Sequence, residues 1–375
     1  MQNSDGSVLS IEGIGGATPP SSDTSPSYYG DANTVATLAA AAAFADGAKV
    51  LGSLNNPSLN SYAADLLTRA KSAWNWAQAN PNVLFYNNDW SRGTGGLGVG
   101  QQEDPGSRVK LGVMAAIKLF AATGDISYRS YVDAHYKEIS MFKDWVLSGF
   151  NAGDARALLY YASLPNASST VASDIRSQYL DLMGRPNYDN WGAIDSQRDP
   201  YRAQIGSYGW SSNSVKAGAG TLFTEESYYG FSRHTPEQDA NAAADYLHYL
   251  HGVNPFGKVY LSNMNSFGAE NSVNQVWHGW FMKGTPWGDA KTSLYGPAPG
   301  YLVGGPAGKD YGWDPECPGR DPKCGSAPPS PPTGQPPQKS YLDFNEGWPL
   351  NSWSVSEPSG GYQSNYIRLL SRFVK

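Results

Sequence analysis

Charge is scarce in this chain. Only 16% of its 375 residues are Asp, Glu, Lys or Arg, and the formal net charge is −6. No run of basic residues exists, so the electrostatic footprint that neutralises a phosphate backbone is missing and nucleic acid is not an expected partner. Cysteine is scarcer still, with Cys317 and Cys324 alone. A structural zinc needs four ligands, and no histidine stands near this pair, so the cysteines make a poor zinc site. Their short spacing within Cys-Pro-Gly-Arg-Asp-Pro-Lys-Cys fits a loop-stapling disulfide in an oxidising compartment, with free thiols as the alternative. No apolar run approaches the roughly 20 residues of a transmembrane helix, and Ala39 to Ala43 reads as a helical alanine run. Met1-Gln-Asn-Ser-Asp-Gly is polar from its first residue, so no signal peptide is read there. Strong runs of alternating β-branched residues are also lacking, which argues against a sheet-based fold.

What the chain does have is aromatic surface. It carries 12 Trp and 24 Tyr, and aromatics reach 13% of residues. Such an excess suits stacking against flat ligands such as sugar rings, with an aromatic-rich core as the alternative. Glycine (42) and proline (26) are abundant without a period, so they punctuate loops.

Helical periodicity dominates the rest. The spacing predicts helices over about 33–50, 57–78, 107–123, 127–147, 152–162, 167–183, 212–225, 236–251 and 358–374. The stretch 252–345 has little periodicity and is full of Gly, Pro, Asn and Trp; a long irregular stretch inside a compact domain is usually functional. Residues 327–337 are rich in proline, as a linker would be, but only about forty residues lie beyond and they contain the key acid, so the stretch reads as a rigid loop. The expectation is one all-α domain over 1–375, built of helical hairpins with long loops gathered on one face.

The last forty residues concentrate the chemistry. Glu357 stands where an aromatic loop turns into an apolar-periodic helix, and Pro358 is suited to a first helical turn. A partly buried carboxylate among Trp and Tyr can stay protonated and donate to a leaving oxygen, the residue type that glycoside hydrolysis requires. The plainer alternative is an acid drawn to the positive end of a helix dipole.

Several segments in order resemble glycoside hydrolase family 9, the cellulases with an (α/α) six-hairpin barrel. They are Ser4-Asp5-Gly6-Ser7-Val8, the Ala17–Pro26 loop before the Ala-rich helix, Leu250-His-Gly-Val-Asn254-Pro255-Phe-Gly257, the Gly268–His278 loop, Pro299-Gly-Tyr-Leu-Val-Gly-Gly-Pro306, and Ser352-Trp-Ser-Val-Ser-Glu357. The resemblance implies hydrolysis of β-1,4-glucosidic bonds in cellulose or cello-oligosaccharides by an inverting mechanism, with Glu357 as general acid. It implies that His278 hydrogen-bonds sugar hydroxyls, with a core histidine as the alternative, and that Asp343 contacts sugar, with a loop cap as the alternative. Many relatives carry a His-Pro-His-His-Arg run at the histidine loop, which this chain lacks. Tyr208, Trp210, Trp313 and Trp348 are candidate stacking platforms or structural aromatics. No cofactor is required. A structural calcium is the metal that the resemblance allows, and Glu103 and Asp104 are weak candidates for it, since two loop acids are more often simply solvated.

One part of the pattern has no counterpart. An inverting enzyme needs a second carboxylate about 6.5–9.5 Å from the acid to activate water. In the family this base lies in an Asp-Ala-Gly-Asp-Tyr motif ahead of the segment where this sequence begins. Asn151-Ala-Gly-Asp154 is a near match, but its first acid is Asn and its position fits a mid-chain helix start. Asp31, Asp89 and Asp104 are conceivable replacements. The expectation is a barrel lacking about three helices, with weak or no turnover and an open seam that favours self-association or an N-terminal fragment as partner. A catalytically disabled glucan-binding barrel and a relative acting on another β-linked sugar, such as glucosamine oligomers, are the alternatives. The resemblance implies a secreted or periplasmic setting. A β-glucan or cello-oligosaccharide is the expected partner, with no nucleic acid and no membrane.

Overall fold

The computed structural model describes residues 1–374 apart from 11, 14–16, 27, 87–90, 92–104, 187–188, 197–198 and 313–326. The chain divides into two compact units, one of residues 1–14, 25–146 and 154–179, the other of 15–24, 147–153 and 180–375.

The first unit is built on alanine. Helix α1 (Thr34–Ser53) starts at Asn33, whose side chain accepts from Ala36 N at 2.7 Å. Its buried residues Thr34, Thr37, Leu38, Ala41, Ala45 and Ala48 recur at three- and four-residue steps along one stripe. Small side chains there let α2 (Pro57–Ala79) and α3 (Pro105–Thr123) pack closely on α1. Lys118 of α3 reaches Asp46 of α1 at 2.7 Å. Trp74 of α2 meets Tyr128 and Tyr131 edge-on, at 5.5 and 5.0 Å between ring centres. By length and composition α1 is long and apolar enough to cross a membrane, contrary to the expectation that no apolar run approaches that length. It is the one such helix among the described residues, and alanine, not large aliphatic side chains, makes it apolar.

The helix expected over 127–147 is broken. Helix α4 (Ile126–His135) runs into a 3₁₀ turn, Tyr136–Glu138, and the short α5 (Ser140–Lys143) follows. Ile139 between them is extended and 2% exposed. Tertiary bonds explain the break: Tyr136 Oη donates to Asp174 at 2.7 Å, and Gln178 Nε2 donates to Met141 O at 2.9 Å. Both partners lie on α7 (Ser169–Met183), which follows α6 (Ala152–Ser163).

The second unit holds the irregular stretch and three longer helices. After the five-residue α8 (Trp191–Asp195) comes α9 (Ser212–Tyr228), which is buried along nearly its whole length. Helix α10 (Pro236–Leu250) packs on it, opened by a capping box in which Thr235 and Gln238 satisfy each other's backbone N–H. α9 also approaches the 147–153 loop at backbone distance: a Cβ on Gly218 would lie 2.1 Å from Gly149 O, so only glycine fits.

Within 252–345 order comes from side chains that bond backbone. Asn254 organises its Asn-Pro turn by donating to Tyr249 O and Lys258 O, both at 2.7 Å, and accepting from Phe256 N and Lys258 N, both at 3.1 Å. All four hydrogen-bonding positions of the amide are used, which explains why this residue type stands there. Among the described residues, the strands are short. β1 (Glu12–Gly13) pairs with β2 (Tyr28–Tyr29) in the first unit, and β3 (Val259–Ser262) with β4 (Ser272–Val273) in the second. Bridges Leu261↔Leu302 and Val303↔Pro358 extend from β3 toward the C-terminal segment. That segment contains α11 (Trp353–Ser356) and α12 (Gly360–Leu370).

Candidate active site

Glu357 lies between α11 and α12, and three main-chain bonds from two segments fix it. Gly304 N donates to Glu357 O at 3.0 Å, Gly305 N to Val355 O at 2.8 Å, and Trp277 N to Ser356 O at 3.2 Å. Ser356, fully buried, donates its hydroxyl hydrogen in the space between Phe344 O and Ser352 O, at 2.8 and 2.9 Å. Trp277 packs on Trp353 with ring centres 5.3 Å apart.

The helix start differs from expectation. Ser359 is the cap of α12, so Pro358 precedes the helix and bridges Val303 instead of filling the first turn. Glu357 stands outside that first turn, beyond the reach of the dipole effect. Its carboxyl is pushed above the ordinary glutamate range by burial alone; no charged neighbour contributes. The environment therefore favours the protonated acid. Tyr362 sits beside it: its hydroxyl is raised by burial first and then by the Glu357 charge, while the nearby Trp210 and Ser211 side chains act the other way.

The other expected site residues have separate fates. Trp210 is brought toward the acid through Tyr362. The residue is 44% exposed, and its backbone N–H donates to Asp310 Oδ2 at 3.2 Å. Trp348 is 42% exposed, so both indoles present a face to solvent. Tyr208 is engaged elsewhere. Its hydroxyl accepts from Lys216 Nζ at 2.8 Å, and burial, then the neighbouring Tyr249, raises it above the ordinary tyrosine range. Lys216 is fully buried, lies 3.8 Å from the Tyr249 ring centre, and burial pulls it down to about 7. Asp343 accepts from Lys258 Nζ at 3.2 Å, Asn274 N at 2.9 Å, Asn274 Nδ2 at 3.3 Å and Gln275 N at 3.1 Å, a clamp between two loops.

His278 is half-buried and caps the 3₁₀ turn Gly279–Phe281. Its Nδ1 accepts from Trp280 N at 3.2 Å, which places the neutral ring's proton on Nε2. Burial holds its pKa below the ordinary histidine value. Beside it opens a cavity of about 540 Å³ whose walls include Trp280, Phe281, Trp287, Tyr295 and Tyr301. The sequence reading singled out neither Tyr362 nor this aromatic wall. Tyr362 lies five residues past Glu357 in the same segment, so its position was the available signal.

Trp313, Glu103, Asp104, Asp89, Cys317 and Cys324 lie outside the described residues. Asp31 is exposed in the first unit. Asp154 sits in the first turn of α6, paired with Lys110 at 3.5 Å and raised by burial, and Asn151 caps the preceding turn through Ser148 N at 2.7 Å.

Comparison with known proteins gives these features a context. A cellulose 1,4-beta-cellobiosidase of Acetivibrio thermocellus is 25% identical over 362 residues, covering 90% of this chain and 36% of its own length. Endoglucanase C of Cellulomonas fimi is 25% identical over 332 residues, covering 86% of this chain and 26% of its own. The solved structure of the family 9 endoglucanase J30 matches with a TM-score of 0.71 at 23% identity, covering 100% of this chain and 61% of that one. The chain thus spans about a third or less of the two curated relatives, and it shares the helical (α/α) six-hairpin barrel fold over the part that it covers. The family model for glycosyl hydrolase family 9 matches residues 17–370, from the loop before α1 to the last turn of α12, and the chain belongs to that family.

Proposed function

We propose that this chain carries the general-acid half of a β-1,4-glucan hydrolase site, with Glu357 as the proton donor. The observation that carries the reading is a carboxyl fixed by main-chain bonds and raised by burial alone. A glycosidic oxygen is a poor leaving group until it is protonated. A carboxyl that is still protonated near the working pH supplies that proton as the bond breaks. Family membership and the names of the cellobiosidase and the endoglucanase point to cellulose or cello-oligosaccharides as substrate. Trp210 and Trp348 would stack on sugar rings, and Nε2–H of His278 would donate to a sugar hydroxyl.

Inversion requires a second carboxylate to activate water on the opposite face. None of the described carboxylates is assigned that role. A secreted or periplasmic setting suits a polymeric substrate. The glucosamine alternative loses support from Asp343, whose charge is already met by Lys258.

The test uses two substrates and the Glu357→Gln variant. Cellopentaose needs leaving-group protonation; a dinitrophenyl β-cellobioside does not. Glu357→Gln should bind cellopentaose as well as the parent, lose whatever cleavage the parent shows, and keep any activity on the aryl glycoside. Equal loss on both substrates, or cellopentaose cleavage that survives in Glu357→Gln, sinks the assignment.

A further inference from the structure

Away from Glu357, the turn between α9 and α10 holds two buried acids and a histidine. Glu226 and Asp239 are each 1% exposed, and one carboxylate oxygen from each lies within 4.8 Å of a ring nitrogen of His234 and of the other. Glu226 Oε1 and His234 Nδ1 are buried without a hydrogen-bond partner. Trp191 Nε1 lies close to the Glu226 carboxylate but outside hydrogen-bond geometry.

The protons available do not match the charge. Ser227 Oγ donates to Asp239 Oδ2. Ser232 Oγ lies 3.2 Å from both Glu226 Oε2 and Asp239 Oδ1, yet it has one hydrogen to give. Its lone pair accepts from His234 N at 3.0 Å. No Lys or Arg forms an ion pair with either acid among the described residues, although Arg233 lies near enough to favour the Glu226 charge. Two buried carboxylates in this position need a proton or a cation between them.

The surroundings favour a cation. His234 offers an unpartnered imidazole nitrogen, a group that a shared proton would not require. Its ring is fixed by stacking on Trp191, with centres 3.8 Å apart and planes 22° apart. It also lines an open cavity of about 430 Å³ with Trp191, Asp195, Arg202, Gln238 and Asn241, so the histidine is the ligand nearest solvent while the two acids lie behind it. A zinc ion held at about 2.0–2.2 Å places its ligands roughly 3.3–3.6 Å apart, so closure asks for at most about 1.5 Å of contraction. Calcium prefers six to eight oxygens and is poorly served by imidazole.

We propose that Glu226, His234 and Asp239 bind a divalent transition-metal ion that clips the end of α9 to the start of α10. Ser232, bonded to both carboxylates and to the His234 backbone, positions the ligands.

Metal-stripped protein titrated with Zn²⁺ against a chromophoric chelator tests this, with Co²⁺ absorption reporting the ligand set. The expected result is one equivalent bound and a raised unfolding temperature. His234→Ala and Glu226→Gln should each weaken binding about 100-fold or more, and Ser232→Ala about tenfold. The exposed His135–Glu138 pair, 2.6 Å apart, is the rival site, so His135→Ala should change nothing. Absence of saturable Zn²⁺ binding, a preference for Ca²⁺, or loss in His135→Ala instead of His234→Ala overturns the proposal. If the inner variants do not fold, histidine ¹⁵N spectra of the unaltered chain decide. A Zn²⁺-dependent shift at His234 Nδ1 supports the site; shifts confined to other histidines overturn it.

Discussion

Asp343 separates a structural from a sugar-contacting role most sharply. Its carboxylate holds Lys258 and two backbone amides, with the two charged side chains only 12% and 15% exposed. Asp343→Ala would leave a nearly buried ammonium without its partner, a change that costs about 3–5 kcal/mol when burial is complete. The residual exposure places this pair near the lower figure. The N–H groups of Asn274 and Gln275 would also lose their acceptor, each worth about 1–3 kcal/mol if water cannot reach it. Together the loss should be about 3 kcal/mol if water reaches both amides and about 5–9 kcal/mol if it reaches neither, while Asp343→Asn, which keeps one acceptor oxygen, should lose about half as much. Urea unfolding gives the global figure. Because the chain has two compact units, amide exchange at Asn274 and Gln275 gives the local one. If Asp343→Ala loses less than about 1 kcal/mol and leaves both amides protected, the clamp reasoning is wrong. A sharp fall in cellopentaose affinity with stability unchanged would assign the carboxylate to sugar instead.

Glu357→Gln should be more stable than the parent at neutral pH. Burial raises the folded acid above its unfolded value, so the parent is unpenalised at low pH, where the group is protonated in both states, and loses stability as pH rises through the folded value. The difference in unfolding midpoint should shrink toward zero near pH 4; a pH-independent difference refutes it. Trp210→Ala should lower cello-oligosaccharide affinity about tenfold by titration calorimetry while leaving the unfolding temperature unchanged, because the indole is exposed. Gly218→Ala should cost about 3 kcal/mol or more in thermal unfolding, since its Cβ meets Gly149 O at 2.1 Å, whereas Gly153→Ala, with open space around it, should be nearly neutral.

The helices were legible in the sequence because each carries its own period and cap. Asn33 and Asn56 cap α1 and α2, and Pro57 and Pro236 start α2 and α10. The 127–147 pattern failed because Tyr136 and Met141 answer to residues on α7, about 37 positions away, which a local window does not see. Pro358 misled for a related reason: its bridge to Val303 decides its conformation more than its aptness for a first helical turn. Glu357 was legible as an acid in an aromatic segment. For Tyr208 and Asp343 the structural alternatives were open in the sequence, but their partners were not: Lys216 for Tyr208, and Lys258 with the Asn274 and Gln275 amides for Asp343, meet them only in the fold. The α9–α10 cluster escaped because Glu226, His234 and Asp239 match no spaced metal motif and only the hairpin gathers them.

The bonds that hold the Glu357 segment run from main chain to main chain, through Gly304, Gly305 and Trp277. An acid located in this way keeps its position whatever side chains its neighbours present. The surrounding loops can then drift or be redesigned for a different glycan, provided that the two glycines and the backbone register survive. Identity of only 25% with the curated relatives is what such freedom would leave behind.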